Sequence, residues 1–67
     1  MNKREFLAKL EKALAQLNRE ERKRELDYYE EMINDRIEEG MSEEEAVHCM
    51  GTVQGVAAKI LSEAAPE

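Results

Sequence analysis

Apolar residues recur at helical spacing in several separate stretches of the chain. The first stretch carries five apolar residues on one stripe of a helix with 3.6 residues per turn: Phe6, Leu7, Leu10, Leu14 and Leu17. Asn2 stands where an N-cap belongs, and Glu5 follows three residues later, as in a capping box. The pattern predicts a first helix over about residues 3–17.

The second stretch is longer and places its apolar residues further apart. They are Leu26, Tyr29, Ile33 and Ile37, with Tyr28 and Met32 widening the stripe. Asn18 is the predicted N-cap, and the helix is expected over about 19–39. Neighbouring positions on a helix point in different directions, so Tyr28 and Tyr29 cannot both face the core. We expect one ring to be buried and the other to lie at the rim, where an amphipathic aromatic suits a protein interface.

An acidic segment, IEEGMSEEEAV, follows this long helix and raises the question of whether it is a site. Gly40 is expected to close the second helix in the left-handed conformation. Ser42 and Glu45 match a capping box, and Glu43 and Glu44 fall in the first turn, where the helix dipole favours negative charge. We therefore interpret the segment as a corner between two helices.

The remaining residues predict two further helices, over about 43–50 and 53–64. Gly51 separates them, and Thr52 is the expected N-cap of the last one. Short connections make consecutive helices neighbours in space. The predicted fold is therefore all-α: a compact single-domain bundle of four helices over residues 1–67, with a long second helix and a short third one.

Charge and composition narrow the function. The net charge is −6, yet residues 1–24 carry eight basic and four acidic side chains while residues 25–67 carry two and twelve. An acidic protein is poorly suited to bind nucleic acid, so no nucleic-acid partner is expected. One cysteine excludes an internal disulfide and fits a reducing compartment. No apolar run is long enough to cross a bilayer, and we expect a cytoplasmic location.

Few residues are candidates for chemistry. His48 and Cys49 are adjacent, so they point to different sides of a helix, and no other His or Cys completes a zinc site. Cys49 is expected to be a buried or half-buried filler. No phosphate loop, catalytic triad or calcium loop is visible, so we predict no enzymatic activity, no catalytic residues, no cofactor and no metal.

One acidic stripe is a candidate binding surface. Asp27, Glu31 and Asp35 recur four residues apart, on one side of the second helix. A solvated face is one interpretation of this stripe. Loose binding of a cation and docking of a basic partner are the others. Together with Tyr28, these residues are the candidate partner-binding set.

The chain resembles a known family, the HAAS domains, which are bacterial HTH-associated α-helical signalling domains. The resemblance lies in REFLAKLEKAL, ERKRELDYYEEMINDRIEEGMSEEEAV and MGTVQGVAAKIL, over about residues 3–61. Two positions depart from the family pattern: Val53 stands where proline is frequent, and Gly55 is unusual so early in a helix. They leave the entry of the last helix open.

The resemblance implies a cytoplasmic N-terminal module without enzymatic activity, usually followed by membrane-spanning segments and often encoded beside PadR-like transcription regulators. We accordingly expect the natural protein to continue past Glu67 into a membrane segment. The leading hypothesis is a protein-interaction and signalling module of a bacterial membrane-associated regulatory protein. A homodimerisation unit with a structural role is the alternative. Contact of the basic side that KREFLAK and RKR form with anionic lipid is a third hypothesis.

Overall fold

Four α-helices joined by short turns make up the fold. The computed structural model describes residues 1–64, and its helices are α1 (Lys3–Ala13), α2 (Arg19–Glu38), α3 (Glu43–Met50) and α4 (Val53–Ala64). The predicted all-α bundle, with a long second and a short third helix, is confirmed. α1 packs against the other three helices, and α2 also packs against α3. The molecule is elongated, with extents of 40 × 19 × 18 Å.

Each helix begins at a polar cap residue that the sequence predicts. Backbone N–H groups of the first turns donate to side-chain oxygens of Asn2, Asn18, Ser42 and Thr52 over 2.8–3.2 Å. In α1 and α3 the glutamate at the third helical position also accepts from the cap residue's own N–H, which completes a capping box. These bonds satisfy donors that a helix leaves unpaired at its start, so the local sequence fixes where each helix begins.

The end of α1 differs from the prediction. The helix was expected to reach about Leu17, but it ends at Ala13, and Leu14 takes the C-cap position with φ −99° and ψ 21°. A turn follows, in which the Leu17 N–H donates to the Leu14 carbonyl over 3.0 Å. Leu14 is nevertheless fully buried. The apolar spacing continues through the turn, so periodicity alone cannot show where the helix stops.

The core is a single cluster to which all four helices contribute. It contains Phe6, Leu10, Leu14, Tyr29, Ile33, Ala46, Val47, Val56, Ala57 and Ile60. α1 and α2 run antiparallel. A contact between the start of α1 and the late part of α2 shows this: the Lys3 ammonium donates to the Asn34 side chain over 2.9 Å. The inner stripe of α2 therefore faces α1 and α3, and its opposite stripe faces solvent.

Candidate functional site

The four candidate partner-binding residues lie together on the solvent side of α2. Asp27, Tyr28, Glu31 and Asp35 are all exposed. The three carboxylates are each one helical turn apart, so they span about 12 Å along the helix axis. Tyr28 lies beside Asp27 and Glu31 on the same face. We call this set the α2 face.

The two tyrosines are divided between core and surface, as the sequence predicts. Tyr29 is 8% exposed and Tyr28 is 55% exposed. The two rings meet edge to face, with centroids 5.2 Å apart and planes at 84°. This arrangement is favourable for aromatic pairs. The buried Tyr29 ring contacts the Tyr28 ring, and more than half of the Tyr28 surface stays in water.

Burial raises the pKa of the Tyr29 phenol above its usual value. The main cause is desolvation, and the negative charge of Glu25, the neighbouring Tyr28 and the negative charge of Glu63 add to it in that order. The Tyr29 phenol is therefore neutral at physiological pH, and it adds no charge to the core beneath the α2 face.

Most of that negative charge is available to a partner. Asp27 forms an i,i+4 ion pair with Lys23 over 3.3 Å, but both side chains are exposed, so the pair is weak. Glu31 and Asp35 have no ion pair within residues 1–64. Residues 27–39 hold six acidic side chains and one basic one. The surface is therefore suited to cationic side chains spaced by about one helical turn.

The acidic segment between α2 and α3 has local structural roles. Gly40 has φ +114°, and the Gly40 and Met41 N–H groups donate to the carbonyls of Ile37 and Arg36 over 3.0 and 3.1 Å. This pair of bonds is a Schellman motif, which ends α2. No group of three His, Cys, Asp or Glu side chains in residues 1–64 is arranged to hold a metal ion. The interpretation as a corner between helices is confirmed.

One of the corner's glutamates does more than the sequence predicts. The Lys3 backbone N–H donates to Glu43 Oε2 over 2.8 Å, across forty residues of chain. Glu43 thus lies in the first turn of α3 and also caps the first turn of α1. The two helix starts, both positive ends of a dipole, share one carboxylate.

A groove that the sequence analysis missed lies among α1, α3 and the first turn of α4. Its volume is about 610 Å³, and its lining includes apolar side chains of all three helices: Phe6, Ala13, Val47 and Val53. Lys9 and Glu44 also line it. Nothing in the sequence signals it directly, because its lining residues come from three separate stretches of the chain. We call it the α1/α3/α4 groove.

Comparison with known proteins decides the family. The HAAS family model matches residues 5–59, which is most of the chain. The chain belongs to the HAAS family. No curated protein and no solved structure gave a significant match.

The HAAS match covers α2, α3, α1 except its first two residues, and more than half of α4. It therefore includes the α2 face and the lining of the groove apart from Met1. Membership of this family suggests a signalling or interaction module. The two features described above, the α2 face and the groove, are both surfaces to which another molecule can bind. None of the HAAS domain's four helices, as far as residue 64, is long and apolar enough to span a membrane.

His48 and Cys49 lie at the surface of the HAAS domain. Both are exposed. The expectation that Cys49 is buried or half-buried is wrong: α3 turns Ala46 and Val47 toward the core, and two positions further on the helix has rotated Cys49 outward. The Cys49 thiol lies 3.9 Å from the Met41 sulfur at the surface.

Proposed function

We propose that this HAAS domain is a non-enzymatic protein-interaction module of a bacterial membrane-associated regulatory protein, working at the cytoplasmic face of the membrane. In this proposal the α2 face binds the partner protein. The observation that carries it is the exposure of Tyr28 beside the unpaired carboxylates of Glu31 and Asp35. Tyr28 is the only Phe, Tyr or Trp side chain exposed in residues 1–64.

Two energetic features of the free domain support this surface. A large ring left in water forgoes about 1.5–3 kcal/mol that its burial would contribute. The carboxylates at i,i+4 spacing repel one another by a few tenths of a kcal/mol per pair. A partner that covers Tyr28 and places Lys or Arg beside Glu31 and Asp35 removes both costs at once. Such anchors, a buried aromatic with charged neighbours, are typical of protein interfaces.

The chemistry of the α2 face defines the partner. It needs an apolar pocket for one ring, with basic side chains about 6 Å apart beside it. DNA does not fit, because the α2 face would repel phosphates. The proposed partner is a PadR-like regulator, as the HAAS resemblance implies, which would meet the α2 face through a basic surface outside its DNA-binding helix.

The test is a titration of the ¹⁵N-labelled domain with a purified PadR-like regulator from the same genome. The expected result is a shift or broadening of the amide signals of residues 27–35, with binding that weakens as salt rises. Absence of any change in α2 would overturn the proposal.

Matched charge reversals sharpen this titration. Glu31→Lys and Glu11→Lys change the net charge equally, and both residues are exposed on helices. Glu31→Lys should weaken binding by about tenfold or more, while Glu11→Lys, on α1, should leave it within about twofold. Equal losses would show that overall charge, and not the α2 face, attracts the partner.

A further inference from the structure

We infer that the α1/α3/α4 groove receives the Tyr28 ring of a second copy of this chain. The groove has an apolar lining from three helices and a volume of about 610 Å³, which is ample for a phenol ring. Two large apolar side chains are exposed in residues 1–64, Met1 and Tyr28. Met1 already borders the groove, so Tyr28 is the large apolar group that another surface of the molecule offers to it.

The charges around the groove and around Tyr28 are complementary. Lys9 and Glu44 line the groove from α1 and α3, and neither has an ion pair within residues 1–64. Tyr28 has Arg24 one turn before it on α2 and Glu31 about one turn after it. In the inferred contact, Glu31 of one copy faces Lys9 of the other, and Arg24 faces Glu44. Both signs are then matched.

The first turn of α4 adds to this match. Its backbone N–H groups form the positive end of a helix dipole, and its residues Val53 and Gln54 line the groove. α1, α2 and α3 each have an acidic residue in the first turn, whereas α4 has none. An incoming carboxylate beside the Tyr28 ring therefore meets a favourable potential at this end of the groove.

The contact joins two unlike surfaces, because the groove contains no residue of α2. The contact is therefore between Tyr28 of one copy and the groove of another. The net charge of −6 on each copy opposes association, so the contact is expected to be weak, with a dissociation constant of about 0.1–1 mM. A partner protein bound on the α2 face would compete with it.

Dilution of the full ¹⁵N-labelled chain from about 1 mM tests the contact directly. The expected result is concentration-dependent shifts in two places together: near Tyr28, and at groove residues such as Val47 and Gln54. Tyr28→Ser should weaken self-association by about tenfold, whereas Tyr28→Phe, which keeps the ring, should not. Both changes are at an exposed position, and a dispersed spectrum confirms that each variant is folded.

Charge reversal on α1 supplies the matched pair for the groove. Lys9→Glu places a negative charge where Glu31 of the second copy would approach, and it should weaken association by about tenfold. Lys12→Glu makes the same change in net charge on the same helix, at an exposed residue that does not line the groove. It should leave association within about twofold.

Mixing the two weakened variants distinguishes this contact from every other dimer. The Tyr28→Ser chain keeps its groove and the Lys9→Glu chain keeps its ring, so together they should form a one-to-one complex. Labelled Tyr28→Ser should show shifts only in the groove, and labelled Lys9→Glu only near Tyr28. No dilution shifts at about 1 mM, shifts confined to α2, or no complex between the variants would each overturn the inference.

These outcomes are independent of the proposed partner. Self-association is measured on the chain alone, and the PadR-like regulator is absent from the experiment. Failure of the groove contact would leave partner binding on the α2 face intact, and failure of partner binding would leave the groove contact intact.

Discussion

Removing the carboxylate that α1 and α3 share should destabilise the domain more than removing its neighbour in the chain. Glu43 and Glu44 are both exposed and both lie in the first turn of α3. Only Glu43 accepts a hydrogen bond from the Lys3 backbone N–H, over 2.8 Å. Glu43→Ala and Glu44→Ala therefore form a matched pair that differs in this one contact.

The magnitudes follow from two contributions. A carboxylate in the first turn of a helix is worth about 0.3–1 kcal/mol through the helix dipole, and both variants lose this. A hydrogen bond to a charged group contributes about 1.5–3 kcal/mol when protected, and about 1 kcal/mol is reasonable for this solvent-exposed one. Glu43→Ala should therefore lower the free energy of unfolding by about 1.5 kcal/mol, and Glu44→Ala by about 0.5 kcal/mol.

Urea and thermal unfolding followed by far-ultraviolet circular dichroism measure the difference. In a domain of this size, 1 kcal/mol corresponds to a shift of about 4–8 °C in Tm. The gap between the two variants should therefore be readily resolved. Glu43→Gln retains an acceptor oxygen and should fall between Glu43→Ala and the parent chain.

Substitution of the donor provides an independent check. Lys3 is the first residue of α1, where proline is well tolerated, and Lys3→Pro removes the N–H that Glu43 accepts. In the Lys3→Pro background, Glu43→Ala should cost no more than Glu44→Ala. Equal effects of the two substitutions in the parent chain would refute the shared-carboxylate reasoning.

Three further substitutions test the fold. Gly40→Ala should cost about 1–2 kcal/mol, measured by urea unfolding, because φ +114° strains any residue with a Cβ although nothing lies within 4 Å of it. Leu14→Ala should lower the free energy of unfolding by about 2–5 kcal/mol, and Leu17→Ala by clearly less, because Leu17 is only half-buried. Thermal melting compares the two variants, and equal losses would contradict the prediction. The phenol of Tyr29 ionises at about pH 10 in the unfolded chain and at higher pH in the folded one. Its contribution to the free energy of unfolding is therefore complete below about pH 10 and declines as the pH rises. Tyr29→Phe should make the loss of stability above about pH 10 less steep.

Helix starts and the core stripe could be predicted because their causes lie within a few residues of chain. The Asn2 side chain accepts from the N–H three residues later, and the two hydrogen bonds of the Gly40 motif join residues three and five positions apart. The division of Tyr28 and Tyr29 between surface and core follows from helical rotation alone. Local rules are therefore sufficient to predict the four helices of this chain.

Two features that sequence reasoning missed, the Lys3–Glu43 bond and the groove, depend on contacts between distant parts of the chain. The end of α1 lies before the turn into α2, in which the Arg22 guanidinium donates to the Leu17 carbonyl over 2.9 Å, only five residues away. The bond between Lys3 and Glu43 crosses forty residues. The groove is lined by residues of α1, α3 and α4, which lie far apart in the sequence. No periodicity within one helix contains this information.

On the α2 face, removal of a carboxylate should raise the stability of the domain and weaken its binding to a partner. Glu31 has a carboxylate one turn away on each side, Asp27 and Asp35, so Glu31→Gln relieves two repulsions of about 0.2–0.5 kcal/mol each. Glu11 has no acidic residue at either i,i+4 position, so Glu11→Gln should bring no such gain. If the α2 face binds a basic partner, Glu31→Gln should raise Tm and weaken partner binding in the same protein. A rise in Tm without any loss of affinity would show that the stripe is only a solvated face, because a charge that helps neither folding nor binding has no part in recognition.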